Sequence, residues 1–231
     1  MFKKIVEAMT GQHPMQIASD RFNEMLRLSL EMVSEASAVY WGRLLTAEQR
    51  SALYDKDVRV NKLQRKIRKN VIANLSSPVP SDVPFALLMM SLVKDVERIG
   101  DYSKNLVEVP ALCGSDEEGS AHELPDDAVT AELKQIARAI EGLAREAGSI
   151  YEVGNQERAR ELTLEGRDTA KRCDKLIAQI VKGGYSAEQA VDLTLGVRFY
   201  KRLNAHMLNL MSSLLMPLHK LDYYDEKAVI D

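Results

Sequence analysis

Two pairs of oxygen-bearing side chains, each spaced by four residues, could do chemistry in this sequence. Glu97 and Asp101 form one pair, and Asp57 and Asn61 form the other. Residues four apart lie on one face of a helix, so each pair would project in a single direction. Two like charges at this spacing repel each other by a few tenths of a kcal/mol, and a bound cation would reverse that sign. Four oxygen ligands from two adjacent helices would suit Mg²⁺, Mn²⁺, Ca²⁺ or iron in a carboxylate-rich cluster.

The same acids have a simpler interpretation as ion pairs on a solvated surface. Arg98, Lys94 and Lys104 all lie within two helical turns of Glu97 and Asp101. Oppositely charged side chains three or four residues apart pair on helices without any metal. Spacing alone favours these ion pairs over a metal site.

A glycine stands inside the segment that carries the first pair. Gly100 lies between Glu97 and Asp101, and a mid-helix glycine costs about 0.5–1 kcal/mol relative to alanine. We therefore expect a neighbouring helix, a ligand or a metal to approach the backbone closely at this position.

Several other classes of site are excluded by the sequence. A ferritin-like di-iron centre needs Glu-x-x-His pairs, and no histidine of this chain has a glutamate three residues before it. The chain has no Gly-rich phosphate loop, G-x-S-x-G or H-E-x-x-H motif. A net charge of −3 gives no reason to expect nucleic-acid binding. The basic cluster within residues 62–69 is interpreted as a solvated helix face.

The cysteines and the apolar runs of the sequence indicate the cellular compartment. Cys113 and Cys173 form no CxxC motif, which favours a reducing compartment. The longest apolar run, residues 85–93, is far shorter than the roughly 20 residues of a membrane-spanning helix. We expect a cytoplasmic protein, and the apolar and basic residues 1–9 offer a short peripheral membrane contact as the less favoured interpretation of that segment.

Apolar residues recur at alternating spacings of three and four through most of the chain, which predicts helices that each bury one stripe. The pattern predicts six long helices and an all-α fold. The stretches Thr46-Ala-Glu-Gln and Ser186-Ala-Glu-Gln are typical of capping boxes and should open the second and sixth helices. We also expect a loop over residues 76–84, where three prolines occur, and the end of the third helix at Pro110.

The two halves of the chain repeat the same helical pattern. The first and fourth helices match at an offset of 111 residues, the second and fifth at about 110, and the third and sixth at 104. A nearly constant offset over three consecutive elements indicates an internal duplication, although one irregular six-helix bundle is the alternative. We predict two three-helix bundles at residues 1–111 and 127–231, joined by a linker at 112–126.

The chemistry-bearing segment resembles a known family. The string Asp95-Val-Glu-Arg-Ile-Gly-Asp101, followed by Asn105 and Leu106, is similar to the most recognisable segment of PhoU domains. The stretch Asp57-Val-Arg-Val-Asn-Lys-Leu63 is similar to that family's companion segment on the preceding helix. The resemblance extends to the whole chain in architecture, whereas its specific motifs are confined to the first half.

The resemblance implies a regulator rather than an enzyme. PhoU proteins repress phosphate-starvation signalling at the cytoplasmic face of the membrane, through a phosphate transporter and its sensor histidine kinase. They tend to dimerise, and several bind multinuclear metal clusters. By resemblance, Glu97 and Asp101 are the expected metal ligands, with Asp57 facing them and Asn61 where the family usually has an acid.

The second half departs from the family pattern. The offset of 104 places Lys201 and Ala205 at the positions of the two ligand carboxylates. Asp168 and Asp174 remain near the companion position, but Arg167, Lys171 and Arg172 crowd them. A lysine at a ligand position would repel a cation, so we expect at most one metal site, in the first half.

Three hypotheses follow. The first is a non-enzymatic PhoU-like regulator or accessory protein of phosphate uptake, whose acidic face senses a cation or a metal-bound phosphate and thereby biases docking onto a transporter or kinase. The second is a metal-free helical scaffold, and the third is a metal-dependent phosphohydrolase. The sequence offers no general base and no phosphate-clamping pair of arginines for the third.

Overall fold

The computed structural model describes residues 14–113 and 123–221, and within these ranges the chain forms six α-helices and one short 3₁₀ helix at Leu218–Lys220. The predicted all-α fold is confirmed. The helices are α1 (Pro14–Tyr40), α2 (Ala47–Leu75), α3 (Val83–Leu112), α4 (Ala128–Val153), α5 (Gln156–Lys182) and α6 (Ala187–Leu215).

Side-chain caps explain where five of these helices begin. At each of these starts, a side-chain oxygen accepts a hydrogen bond from the backbone N–H three residues later, which satisfies a donor that the first helical turn leaves without a partner. Both predicted capping boxes are confirmed, because Gln49 and Gln189 reach back to the cap backbones. The five capping residues are Thr46, Asp82, Asp127, Asn155 and Ser186.

The predicted end of the third helix at Pro110 is wrong. The helix α3 continues through Pro110 to Leu112, and the backbone N–H of Cys113 closes it by bonding to the carbonyls of Val109 and Pro110. A proline removes one backbone donor, and here only the last residues of the helix follow it, so the helix ends two residues later than predicted.

The helices pack as two antiparallel triplets, α1–α3 and α4–α6, and the triplets contact each other through α1 on α4 and α3 on α6. This places α1, α3, α4 and α6 between the two bundles, with α2 and α5 packed on the outer sides. The buried apolar side chains form one continuous core across both triplets. Within the described residues, no helix combines the length and apolarity that crossing a lipid bilayer requires.

The predicted domain boundaries stay a prediction. The helices divide into the expected triplets, yet the shared core does not itself separate residues 1–111 from 127–231. Three segments lie outside the described residues. They are residues 114–122 of the predicted linker, residues 1–9 with their less favoured interpretation as a membrane contact, and the residues from 222 onward.

Candidate functional site

The four predicted site residues lie where α2 packs beside α3, and we call this seam the α2–α3 groove. Asp57 and Asn61 are on α2, and Glu97 and Asp101 are on the neighbouring face of α3. The ammonium of Lys104 interacts electrostatically with both Asp57 and Asp101, and the carboxylate of Glu97 interacts with Asp101. The structure therefore brings together the side chains that sequence spacing had paired.

Asp57 is the buried member of this group. Asp57 is only 7% exposed, and its carboxylate oxygen Oδ2 contacts two side chains of the described residues. The side-chain amide of Asn61 donates to this oxygen at 3.4 Å, and Lys104 Nζ lies at 3.4 Å from it. A buried carboxylate needs such partners to offset its loss of hydration.

Arg98 bridges the two acids of α3. Its Nη1 donates to Asp101 Oδ2 at 2.9 Å, and its Nε lies 3.6 Å from Glu97 Oε2. Burial raises the pKa of Glu97, and the adjacent Asp101 carboxylate raises it further, whereas Arg98 acts in the opposite direction. Burial and the neighbouring like charge therefore both favour the protonated form of Glu97.

Lys104 supplies the positive charge in the middle of the groove. Burial alone would lower the pKa of this lysine, but Asp57, Asp101 and Glu108 outweigh that effect and leave it raised. Lys104 is therefore an ammonium at neutral pH, held among three carboxylates of α2 and α3. Its charge offsets part of the negative charge that would attract a metal cation.

These contacts match the ion-pair interpretation for Arg98 and Lys104. Lys94 is exposed and makes no ion pair with any described residue. In residues 14–113 and 123–221, no group of three or more His, Cys, Asp or Glu side chains is placed to hold a metal ion. The predicted metal ligands thus stay a prediction, to which the structure adds a condition: Arg98 and Lys104 would have to move away first.

Gly100 is not required by close packing. A Cβ built at this position would meet Ser29 Oγ at 3.6 Å and Met32 Sδ and Val60 Cγ1 at 3.7 Å. These are ordinary van der Waals distances, so alanine would fit beside α1 and α2. The expected close approach of a helix is therefore not what distinguishes this position.

The second bundle contains a corresponding lysine–aspartate contact. Lys201 of α6, the residue at the position of Glu97, forms an ion pair with Asp174 of α5. Lys171 pairs with Asp168 one turn away at 3.0 Å. In each bundle, a lysine of the third helix therefore contacts an aspartate of the second helix.

A second polar group, which spacing did not reveal, crosses from one bundle to the other. Asp95 of α3 is 6% exposed, and its Oδ1 lies 2.8 Å from His206 Nδ1 and accepts from Asn209 Nδ2 at 2.8 Å. Tyr102 stacks on the His206 ring, with 5.6 Å between ring centroids. The only sequence signal was a second apolar stripe on α3, which indicates that this helix is covered on two sides.

Comparison with known proteins finds a family match in the first bundle. A family model described as the PhoU domain matches residues 22–109, from the third turn of α1 to the last turn of α3. Residues 22–109 of this chain are therefore similar to the PhoU domain. The matched PhoU segment contains all four predicted site residues and ends before the second bundle.

Solved PhoU structures are similar in fold to both bundles of this chain. One is the phosphate transport system regulatory protein PhoU from Streptococcus pneumoniae, with a TM-score of 0.67 and 16% identity, over 95% of this chain and 100% of that one. Another is PhoU from Pseudomonas aeruginosa, with a TM-score of 0.62 and 14% identity, over 93% and 97% of the two chains. No curated protein matches the chain in sequence. At these identities the structures show a shared fold.

Proposed function

We propose that this protein is a regulator or accessory protein of phosphate uptake that acts by protein contact and not by catalysis. The observation that supports the proposal most is the similarity of residues 22–109 to the PhoU domain. The similar structures support it as well, because both bundles share the fold of two PhoU proteins, one of them a phosphate transport system regulatory protein. We place the regulator in the cytoplasm, where it contacts a phosphate transporter, a sensor histidine kinase or both, and we propose that it works as a homodimer.

The groove between α2 and α3 is the surface that we assign to this contact. Its acids are already neutralised by Arg98 and Lys104, so the groove offers fixed, alternating charges to a partner. Charges arranged in this way give specificity and orientation more than raw affinity. This arrangement favours the metal-free scaffold among the two non-enzymatic hypotheses.

The metal link is a separate proposal. We propose that any divalent cation at Glu97, Asp101, Asp57 and Asn61 competes with Lys104 for the same carboxylates. Metal analysis of the native protein beside a Glu97→Gln/Asp101→Asn variant tests it. Stoichiometric metal in the native protein alone would support cation sensing, and its absence from both would leave the metal-free scaffold.

A deletion strain tests the regulatory role. We expect loss of the gene to change phosphate-starvation reporter expression in phosphate-rich medium, and the wild-type chain to restore it. A charge-swapped variant with Arg98→Glu should fold normally but restore less, because the alternating charges of the groove would be lost. If the deletion leaves both the reporter and phosphate accumulation unchanged, the proposed role is wrong.

A further inference from the structure

The outer face of α2 carries an unpaired positive charge that the groove does not use. Residues 58–81 contain six Lys or Arg residues and no Asp or Glu. Arg59 pairs with Glu24 at 2.8 Å, and Arg68 acts on Glu97 across the groove. The other four are exposed, and none makes an ion pair with a described residue. We call them the basic face: Lys62, Arg65, Lys66 and Lys69.

Helix geometry turns these four side chains away from the protein. At 100° per residue, they lie on the side of α2 opposite Val60 and Ile67, which are fully buried. The helix packs mainly on α1 and α3 of its own bundle, so its outer side faces solvent. The result is a single convex strip of positive charge, about 10 Å long from Lys62 to Lys69 at 1.5 Å per residue.

Exposed aliphatic side chains adjoin one end of this strip. Ile72, in the last turn of α2, is 56% exposed, and Val79, in the following loop, is 84% exposed. Val83 and Leu87, in the first turns of α3, are exposed as well. Because α2 and α3 are joined by the loop that contains Val79, these side chains all belong to the same end of the first bundle.

We propose that the basic face and the α2–α3 loop bind the anionic phospholipid headgroups of a membrane surface. Cations beside exposed aliphatic side chains are the composition of segments that lie in a lipid interface, with the charges at the headgroups and the aliphatic groups at the acyl boundary. The net charge of −3 would orient the bound protein, because an anionic membrane attracts the basic face and repels the rest of the protein. A purely acidic polypeptide would match the charges but would offer no apolar contact to Ile72 and Val79.

This binding needs no other protein and no cation at the α2–α3 groove. The proposal can therefore fail while the regulatory role stands, and the reverse is also true. A lipid-only experiment separates the two.

The experiment is co-sedimentation of the full chain with vesicles, one set of phosphatidylcholine alone and one with about a third phosphatidylserine. We expect binding to the anionic vesicles only, and loss of binding as salt shortens the Debye length. The variant Lys62→Gln/Arg65→Gln/Lys66→Gln/Lys69→Gln should bind at least about 100-fold more weakly, because each cation near such a surface contributes roughly 5-fold. Circular dichroism establishes that the variant remains folded.

The outer helix of the second bundle provides a matched control. The variant Arg160→Gln/Lys171→Gln/Lys175→Gln/Lys182→Gln removes one arginine and three lysines that are exposed on α5, the same change in charge. We expect it to retain the wild-type affinity to within about 5-fold.

Three results would overturn the proposal. The first is no binding of the wild-type chain to anionic vesicles, and the second is equal loss of binding in the two variants. The third is binding of an acidic polypeptide such as polyglutamate, dependent on the basic face, with no binding to lipid. That outcome would assign this face to a protein partner.

Discussion

Replacing Lys104 by methionine should turn the α2–α3 groove into a divalent-cation site. The ammonium now lies 3.4 Å from Asp57 Oδ2 and acts on Asp101 and Glu108 as well. Methionine keeps most of the length of the side chain and removes its charge. Asp57 would then lose its cationic partner, and Arg98 would remain beside Asp101.

The expected gain follows from Coulomb's law. A single positive charge and a divalent cation about 5 Å apart repel by roughly 1.7 kcal/mol at the dielectric constant of water, or about 18-fold in affinity. The groove is partly buried, and the lower effective dielectric there strengthens the repulsion. We therefore expect Lys104→Met to bind Mn²⁺ or Ca²⁺ about 10- to 100-fold more tightly than the wild-type chain.

Isothermal titration calorimetry measures this difference, and the same helix supplies a control. Lys94 is exposed on α3, so Lys94→Met makes the same substitution without opening the groove and should leave affinity unchanged. Adding Glu97→Gln and Asp101→Asn to Lys104→Met should abolish the gain. Equal affinities of wild type, Lys104→Met and Lys94→Met would refute the idea that Lys104 occupies a cation position.

Three stability predictions follow from the packing and the charges. Gly196→Ala should destabilise the protein by about 1–3 kcal/mol in urea unfolding, because the new methyl group would overlap the buried Tyr40 ring. Gly100→Ala, where the new methyl group fits, should instead stabilise the protein by about 0.5–1 kcal/mol. Equal effects of the two substitutions would contradict the packing described for these glycines. Asp95→Ala should cost about 1–3 kcal/mol in the same assay, since two half-buried side chains, His206 and Asn209, lose their partner. A loss below about 0.5 kcal/mol would show that the contact is not made. Burial and Asp101 raise the pKa of Glu97 in the folded protein, so stability falls as pH rises from the ordinary glutamate pKa through the raised one. Glu97→Gln should therefore be more stable than wild type at pH 7 and no different below about pH 3.5, where Glu97 is protonated in both the folded and the unfolded chain. An advantage that grew toward acid would contradict this sign.

Helix positions could be predicted from the sequence because their causes are local. The three-four spacing of apolar residues fixes which face is buried, and Thr46 and Ser186 fix two starting points through bonds to residues three positions away. The error at Pro110 was also local, since a proline near the end of a helix leaves few residues to disturb.

The chemistry of the groove could be predicted only in part. Spacing placed Glu97 and Asp101 on one face, and the structure sets them beside the helix that bears Asp57. The choice between metal and ion pair depends on where the flexible side chain of Lys104 points, which spacing along the helix does not determine. The contact of Asp95 with His206 was missed because it joins residues 111 positions apart and needs the two bundles to be packed.

Uptake of radiolabelled phosphate in cells with and without this gene tests the central claim most directly. A regulator of phosphate uptake predicts an altered uptake rate in phosphate-rich medium when the gene is deleted, and a return to the normal rate when the wild-type chain is supplied. An unchanged rate in the deletion strain, with the protein shown to be present in the parent, would contradict the account.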